Sequence, residues 1–449
     1  MKMQTLAIIG GGPAGYTAAA KAGKAGLNVI LFEKDSLGGV CLNEGCIPTK
    51  TLLYSAKLLD NSKEAKRYAI NIPEATYDLK RIYSRKNKIV RKLVLGVKGK
   101  MEEANVTCIA GEARLVDNKT IECNGSLYNF DKLIIATGSD SFVPPINGLN
   151  EIEYWTHKEA LSLKELPKSL IIVGGGVIGL EFASFFNSLG CQVTIVELMN
   201  EILPGLDKQL AAELRNEYTK KGIQFLLGTK VQAVANLENQ ISVQVNTSED
   251  EQQLIADKLL LSTGRVPYTK GLNLESLNLV SDDKKRIVID NKMQSSNTDV
   301  FICGDVNGKS LLAHTAIREA EVAVNTILGV EDSMSYQAIP SVVYTNPEFA
   351  SVGVTEEQLK DSEINYSTQT LPLTYSGRFV AENEGFNGLC KVLINQNDQT
   401  ILGVHILGNP ASEIITIATM AIEMKLTVKE WNKIVFPHPT VNEIFKDFL

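Results

Sequence analysis

One pattern occurs twice in this chain and limits the folds open to it. Leu6-Ala7-Ile8-Ile9 is a short apolar run, followed by Gly10, Gly12, Pro13 and Gly15. An alanine-rich helical segment at 16–25 comes next, then an apolar run at 28–32 that ends on Glu33. The same order returns with Leu170-Ile171-Ile172-Val173, then Gly174, Gly176 and Gly179, a helical segment, and a run at 191–196 ending on Glu197. Short apolar runs bounded by glycine read as parallel strands buried on both faces. In such a strand–turn–helix unit the first glycine makes the turn, and the second lets backbone approach a pyrophosphate. The third lets the helix pack closely. The helix N-terminus offers amide donors and a favourable dipole to the anion. The acid that ends the second strand accepts from a ribose hydroxyl. The repeat therefore predicts two dinucleotides held by two Rossmann-like domains. Glu197 would repel a 2′-phosphate, and no arginine or lysine lies between Leu198 and Leu206 to receive one, which favours NAD over NADP.

Between the two units stands Gly38-Gly39-Val40-Cys41-Leu42-Asn43-Glu44-Gly45-Cys46-Ile47-Pro48-Thr49-Lys50. In an undistorted α-helix, residues at the Cys41–Cys46 spacing have Cα atoms about 8.6 Å apart. A disulfide needs roughly 4.4–6.8 Å. If the two bridge, the backbone is distorted, and Gly45 and Pro48 are residues that permit or impose this. A strained bridge reduces easily, which suits catalysis better than stapling. Two unconnected thiols on a helix are the competing reading. Two nucleotide sites beside a redox-active pair suggest an electron route from nicotinamide through a flavin to a disulfide, or the reverse.

At 449 residues the chain is too long for one core, and its net charge of −7 argues against nucleic acid or an anionic membrane as partner. Nothing resembles a cleavable signal, Met1 to Thr5 leads directly into a strand, and no apolar run approaches the ~18 residues of a membrane span. Seven scattered cysteines do not form a secreted disulfide framework, so Cys108, Cys123, Cys191, Cys303 and Cys390 read as core or surface thiols and the compartment as the cytoplasm. No metal site is expected. The segment 77–103 is charged and helical in pattern and reads as a solvated or interface helix. Pro144, Pro145 and Gly148 mark a linker.

Later stretches carry weaker signals. Thr137-Gly138 and Gly264 each follow a strand-like run, and Gly304-Asp305 ends another, where it places a carboxylate suited to a polyol chain. His438 lies five residues before Glu443 among prolines, as an imidazole oriented by a carboxylate or as an ordinary surface histidine.

Taken together, these motifs resemble the pyridine-nucleotide–disulfide oxidoreductases, most closely the members that act on lipoamide. The likeness runs from Leu6 to Glu443. It rests on the CLNEGCIPTK stretch, both glycine turns, ATG, TGRVP, ICGDV, LLAH, PSVVYTNPE, ILGVHILG and HPT followed by Glu. It implies an α/β fold of two Rossmann-like domains, for FAD and NAD, with a C-terminal α+β dimerisation domain. The implied division is 1–145 and 268–335 for FAD, 146–267 for NAD, and 336–449 for the interface. FAD would lie on Gly10, Gly12, Pro13, Gly15, Glu33, Lys50, Ala113, Thr137, Gly138, Gly304, Asp305 and Ala313. NAD would lie on Gly174, Gly176, Gly179, Glu197, Val231 and Gly264. The resemblance makes Cys41 the interchange thiol and Cys46 the thiol facing the flavin. His438 becomes the base, oriented by Glu443, and Lys50 and Glu181 stand near the flavin and nicotinamide. In this family the histidine comes from the other subunit, which implies a homodimer.

The implied activity is reoxidation of dihydrolipoamide with NAD+, on the lipoyl domain of a 2-oxo-acid dehydrogenase acyltransferase or on the H protein of glycine cleavage. Two departures stand out: Phe436-Pro437 replaces the usual His-Ala, and Asn442 replaces the usual serine before Glu443. Two other readings stay open. One is an NADH-dependent reductase of another disulfide or of mercuric ion, although no cysteine follows Cys390. The other is a non-catalytic flavin-binding subunit of a complex.

Overall fold

The computed structural model describes residues 4–247 and 250–448, which form two compact units. Met1–Met3 lie outside the described residues, and the first strand begins at Thr5.

The first unit comprises Met1–Thr51, Tyr83–Phe142 and Gly264–Ser335. Its centre is a five-stranded parallel sheet. In spatial order the strands are Val300–Ile302, Lys132–Ile135, β1 (Thr5–Ile9), β2 (Asn28–Glu33) and β3 (Thr107–Ala110). Leu6, Ile8, Leu31, Leu133, Ile134 and Ile302 are fully buried, as a sheet covered on both faces requires. The chain order reverses beside β1, the crevice where open α/β sheets bind ligands. Helix α1 (Pro13–Lys24) starts there with proline in its first turn, where the missing N–H removes no helical bond. Its buried Ala14, Ala18, Ala19 and Ala22 allow close packing on the helix Ala313–Ile327, which buries Ala316, Ala320 and Ala323.

The second unit comprises Leu52–Ile82, Val143–Thr263 and Tyr336–Leu449. It holds a four-stranded parallel sheet, in the order Gln224–Leu226, Gln192–Val196, Ser169–Val173 and Lys258–Leu261. A three-stranded antiparallel sheet, 230–256, accompanies it. A five-stranded antiparallel sheet, opening at Ser341–Val343 and ending in sequence at Ile401–Leu407, carries the helix Ala411–Glu423 on one face. Within this unit Lys391 Nζ lies 2.8 Å from Asp207 Oδ2 and 2.5 Å from Glu356 Oε2, and the Lys391 and Asp207 side chains are 2% and 0% exposed. Asp207 also caps the helix Lys208–Lys220 through the Leu210 N–H, so the ion pair ties that helix to the C-terminal sheet. Among the described residues no helix is long and apolar enough to cross a membrane.

Candidate active site

The two glycine turns divide their glycines the same way. A Cβ at Gly10 would lie 2.3 Å from the Ala136 carbonyl oxygen, and at Gly15 1.7 Å from that of Gly10. In the second turn the distances are 2.4 Å from Gly174 to the Ser262 oxygen and 2.1 Å from Gly179 to the Gly174 oxygen. The fold itself forbids a side chain at these four positions. The middle glycines differ. Gly12 would meet only the Gly39 Cα, at 3.9 Å, and Gly176 nothing within 4 Å. Neither has a positive φ. Space left open at the N-terminus of a 12-residue helix, twice, fits a pyrophosphate that must approach the backbone. The residues present therefore fit two dinucleotides.

The acids that end the second strands first serve the turns. Glu33 accepts from the N–H groups of Gly11 at 2.7 Å and Asp35 at 2.8 Å. Glu197, buried, accepts from those of Gly175 at 2.5 Å and Met199 at 2.8 Å. A carboxylate retains further lone pairs for a ribose hydroxyl.

The cysteine stretch packs on the first turn. Gly38 and Gly39 take left-handed φ of 98° and 58°, and a Cβ on Gly39 would lie 2.6 Å from the Gly12 Cα. Asn43 ties the stretch down by donating to the Gly39 and Leu37 carbonyls. Cys41 lies in a five-residue helix, α2 (Gly39–Asn43), and Cys46 opens the next helix, α3 (Cys46–Glu64). The break between them falls at Glu44 and Gly45, where a side chain on Gly45 would press on the Val40 carbonyl at 2.9 Å. Pro48 does not make the break: it sits in the first turn of α3, where proline is tolerated. The sulfurs are thiols in this structure. Hydrogen bonding to Cys46 and burial push the Cys41 thiol far up, while the Lys50 ammonium on α3 opposes them. Two thiols in hydrogen-bonding contact oppose each other's ionisation, so the pair does not carry two negative charges. The phenol of Tyr16, on α1, is raised by burial and then by the two cysteines, which places it beside them.

Elsewhere in the first unit, Gly304 packs against Ala14 and Ala316, bringing the Gly304-Asp305 turn beside α1. Glu319, fully buried, accepts from the Gly304 N–H at 2.6 Å and from Asn307 at 2.9 Å. Asp305 accepts from Ser139 at 2.5 Å, and Thr137 donates to the Tyr268 carbonyl at 2.6 Å. Gly138 and Gly264 take left-handed φ of 73° and 109°, Ala113 is buried, and Ala313 opens its helix.

In the second unit His438 Nδ1 lies 2.7 Å from Glu443 Oε1, with the His438 side chain 80% exposed. Glu181, buried in the helix Val177–Ser188, accepts from the Tyr344 N–H at 3.1 Å. Val231 is buried in the core beside the second parallel sheet. Phe436 is absorbed by the C-terminal core, its ring 6.3 Å from that of Phe445. Tyr16, Ser139 and Glu319 are not singled out by the sequence, and Arg265 stands there only as part of the TGRVP motif. Only its closeness to the ATG turn marks Ser139.

Residues 4–320 match the model of the pyridine nucleotide-disulphide oxidoreductases, and residues 339–448 match that family's dimerisation domain. The chain belongs to this family. The dihydrolipoyl dehydrogenase of Mycoplasma genitalium is 39% identical over 449 residues, 98% of this chain and 97% of that one. The enzyme of the same name from Thermus scotoductus is 37% identical over 99% of this chain and 96% of its own. Among solved structures, the HOCl-induced flavoprotein disulfide reductase of Escherichia coli superposes with a TM-score of 0.88 at 30% identity, covering 98% of both chains. As a pyridine nucleotide-disulphide oxidoreductase, this chain is a flavoprotein that uses FAD and NAD(H). It carries the family's dimerisation domain, which supports a homodimer.

Proposed function

We propose that this chain is a dihydrolipoyl dehydrogenase, reoxidising lipoyl groups with NAD+ through a Cys41–Cys46 disulfide. The observation that carries this is the hydrogen-bonded cysteine pair at a helix break, packed on the first glycine turn. The names of relatives at 39% and 37% identity support lipoamide as the substrate.

In the forward direction the partner subunit's His438 takes a proton from a dihydrolipoyl thiol, and the partner subunit's Glu443 steadies the imidazolium. The lipoyl thiolate attacks Cys41 Sγ, and Cys46 leaves as a thiolate, stabilised by Lys50. The second lipoyl thiol closes the lipoyl disulfide and releases Cys41 as a thiol. FAD, when bound, supplies the two-electron path from the cysteine pair to NAD+, which departs as NADH with one proton released. FAD is held by Gly10, Gly12, Pro13, Gly15, Glu33, Lys50, Ala113, Thr137, Gly138, Gly304, Asp305 and Ala313. NAD is held by Gly174, Gly176, Gly179, Glu197, Val231 and Gly264, with Glu181 near the nicotinamide. The working division is 1–145 and 268–335 for FAD, 146–267 for NAD and 336–449 for the interface. The partner is a lipoyl domain or glycine-cleavage H protein, met in the cytoplasm.

Cys41→Ser tests the assignment. The variant keeps its yellow flavin and is bleached by NADH, but turns over no lipoamide. Retained turnover overturns the interchange role.

A further inference from the structure

We propose that Arg265 and Ser139 are positioning residues for the flavin, orienting the Asp305 carboxylate that holds a hydroxyl of the ribityl chain. This rests on Asp305 as a flavin ligand.

The strand Ser139–Ser141 pairs antiparallel with Arg265–Pro267 inside the first unit. The Arg265 guanidinium grips one residue at two points: Nε donates to Ser139 Oγ at 2.8 Å and Nη2 to the Ser139 carbonyl at 2.6 Å. Because Ser139 Oγ accepts from Arg265, its own proton points elsewhere, and it donates to Asp305 Oδ2 at 2.5 Å. The Asp305 carboxylate, which also accepts from its own N–H, keeps further lone pairs for a ligand. Glu319 fixes the same turn by accepting from the Gly304 N–H and the Asn307 side-chain amide. Asp305 is therefore held by a directed chain that begins on a permanent cation.

The chain also sets the charge. Burial raises the Asp305 carboxyl above its ordinary value, and the Ser139 hydrogen bond and Arg265 charge pull it back. The polar groups around this turn include Arg265 from one strand, Ser139 from its neighbour, the engaged carboxylate of Glu319 from the helix Ala313–Ile327, Asn307 within the turn and Arg286 against Gly308. A charged carboxylate accepts from a hydroxyl more strongly than a neutral one. FAD thus binds the ionised form, and its affinity falls as pH drops through the Asp305 titration. Without Arg265 or the Ser139 hydroxyl the carboxyl protonates at higher pH, and the loss of FAD moves upward in pH.

The test is FAD release from the diluted holoenzyme, followed by flavin fluorescence between pH 5 and 8. Ser139→Ala and Arg265→Met each shift the midpoint of FAD loss upward by about one pH unit or more, while Arg265→Lys, which keeps the charge but loses the two-point grip on Ser139, shifts it less. Asp305→Asn in either background removes the pH dependence. Ser139→Ala deletes a single hydroxyl, so it remains readable if Arg265→Met fails to fold. Equal weakening at every pH, with the midpoint unmoved, overturns the proposal. A parent protein that takes up no FAD overturns the flavin reading itself.

Discussion

His438 Nδ1 lies 2.7 Å from Glu443 Oε1, while Glu443 Oε2 accepts from the Thr440 N–H at 2.8 Å. With both oxygens engaged, the carboxylate cannot swing, and it directs the ring. The Thr440 N–H and then His438 hold the Glu443 carboxyl below its ordinary value, so it stays ionised where the enzyme works. A carboxylate facing Nδ1 keeps the proton there and leaves Nε2 as the base. His438→Ala is expected to lower kcat for dihydrolipoamide by on the order of 10²–10⁴. Glu443→Gln should lower it less, since the ring keeps a side chain beside it while the imidazolium loses its counter-charge. Steady-state kinetics across pH checks both, and an unchanged His438→Ala rate removes the base role.

In the proposed function, nucleotide choice rests on Glu197, which is buried with its oxygens on Gly175 and Met199. Glu197→Arg should raise KM for NADH by tenfold or more and narrow the preference over NADPH. Because Glu197 also braces the turn, Glu197→Gln is the control for that role: its amide oxygen can accept only one of the two N–H bonds, so it weakens the brace without adding a cation. Unaltered NADH affinity in the arginine variant contradicts the assignment.

Lys391 is almost fully enclosed between Asp207 and Glu356. Lys391→Met strands the Asp207 charge in the core, a loss on the order of 3–5 kcal/mol. Lys391→Met with Asp207→Asn should recover part of this, because asparagine still caps Leu210 and carries no charge. Thermal midpoints of the two variants and the parent test the coupling, and simple additivity refutes it.

The glycine turns were legible because each encodes a local requirement: a Cβ at Gly10 or Gly15 collides with backbone a short distance away in space. The break between Cys41 and Cys46 was only half legible. Gly45 marked it, while Pro48, the louder signal, belongs to an ordinary first turn. Ser139 and Lys391, and the roles of Arg265 and Asp207, could not be read. Their partners are brought together by sheet pairing and helix packing, and nothing near them in the sequence records that meeting.

His405 is fully buried, bonded to Ser351 Oγ at 2.6 Å and to the Val354 carbonyl at 3.1 Å. Burial lowers its pKa to about 4, with Lys391 adding to this and Asp207 and the Val354 bond opposing. The unfolded chain binds the proton near the ordinary value, so between these two pH values the unfolded state holds more protons. The contribution of His405 is then fully present above neutral pH and is lost as pH falls from about 6.5 towards 4. The loss is on the order of 3 kcal/mol. His405→Gln should flatten that part of the stability–pH curve, as followed by thermal melts, and an unchanged slope would count against it.

The central claim meets its most direct test in a steady-state assay of purified yellow protein, pairing NADH or NADPH with lipoamide or glutathione disulfide. The NAD+ plus dihydrolipoamide reaction serves as the reverse check. The account predicts dominant NADH–lipoamide activity that also runs in reverse. Bound flavin reduced by NADH with no lipoamide turnover would contradict it and turn attention to another disulfide.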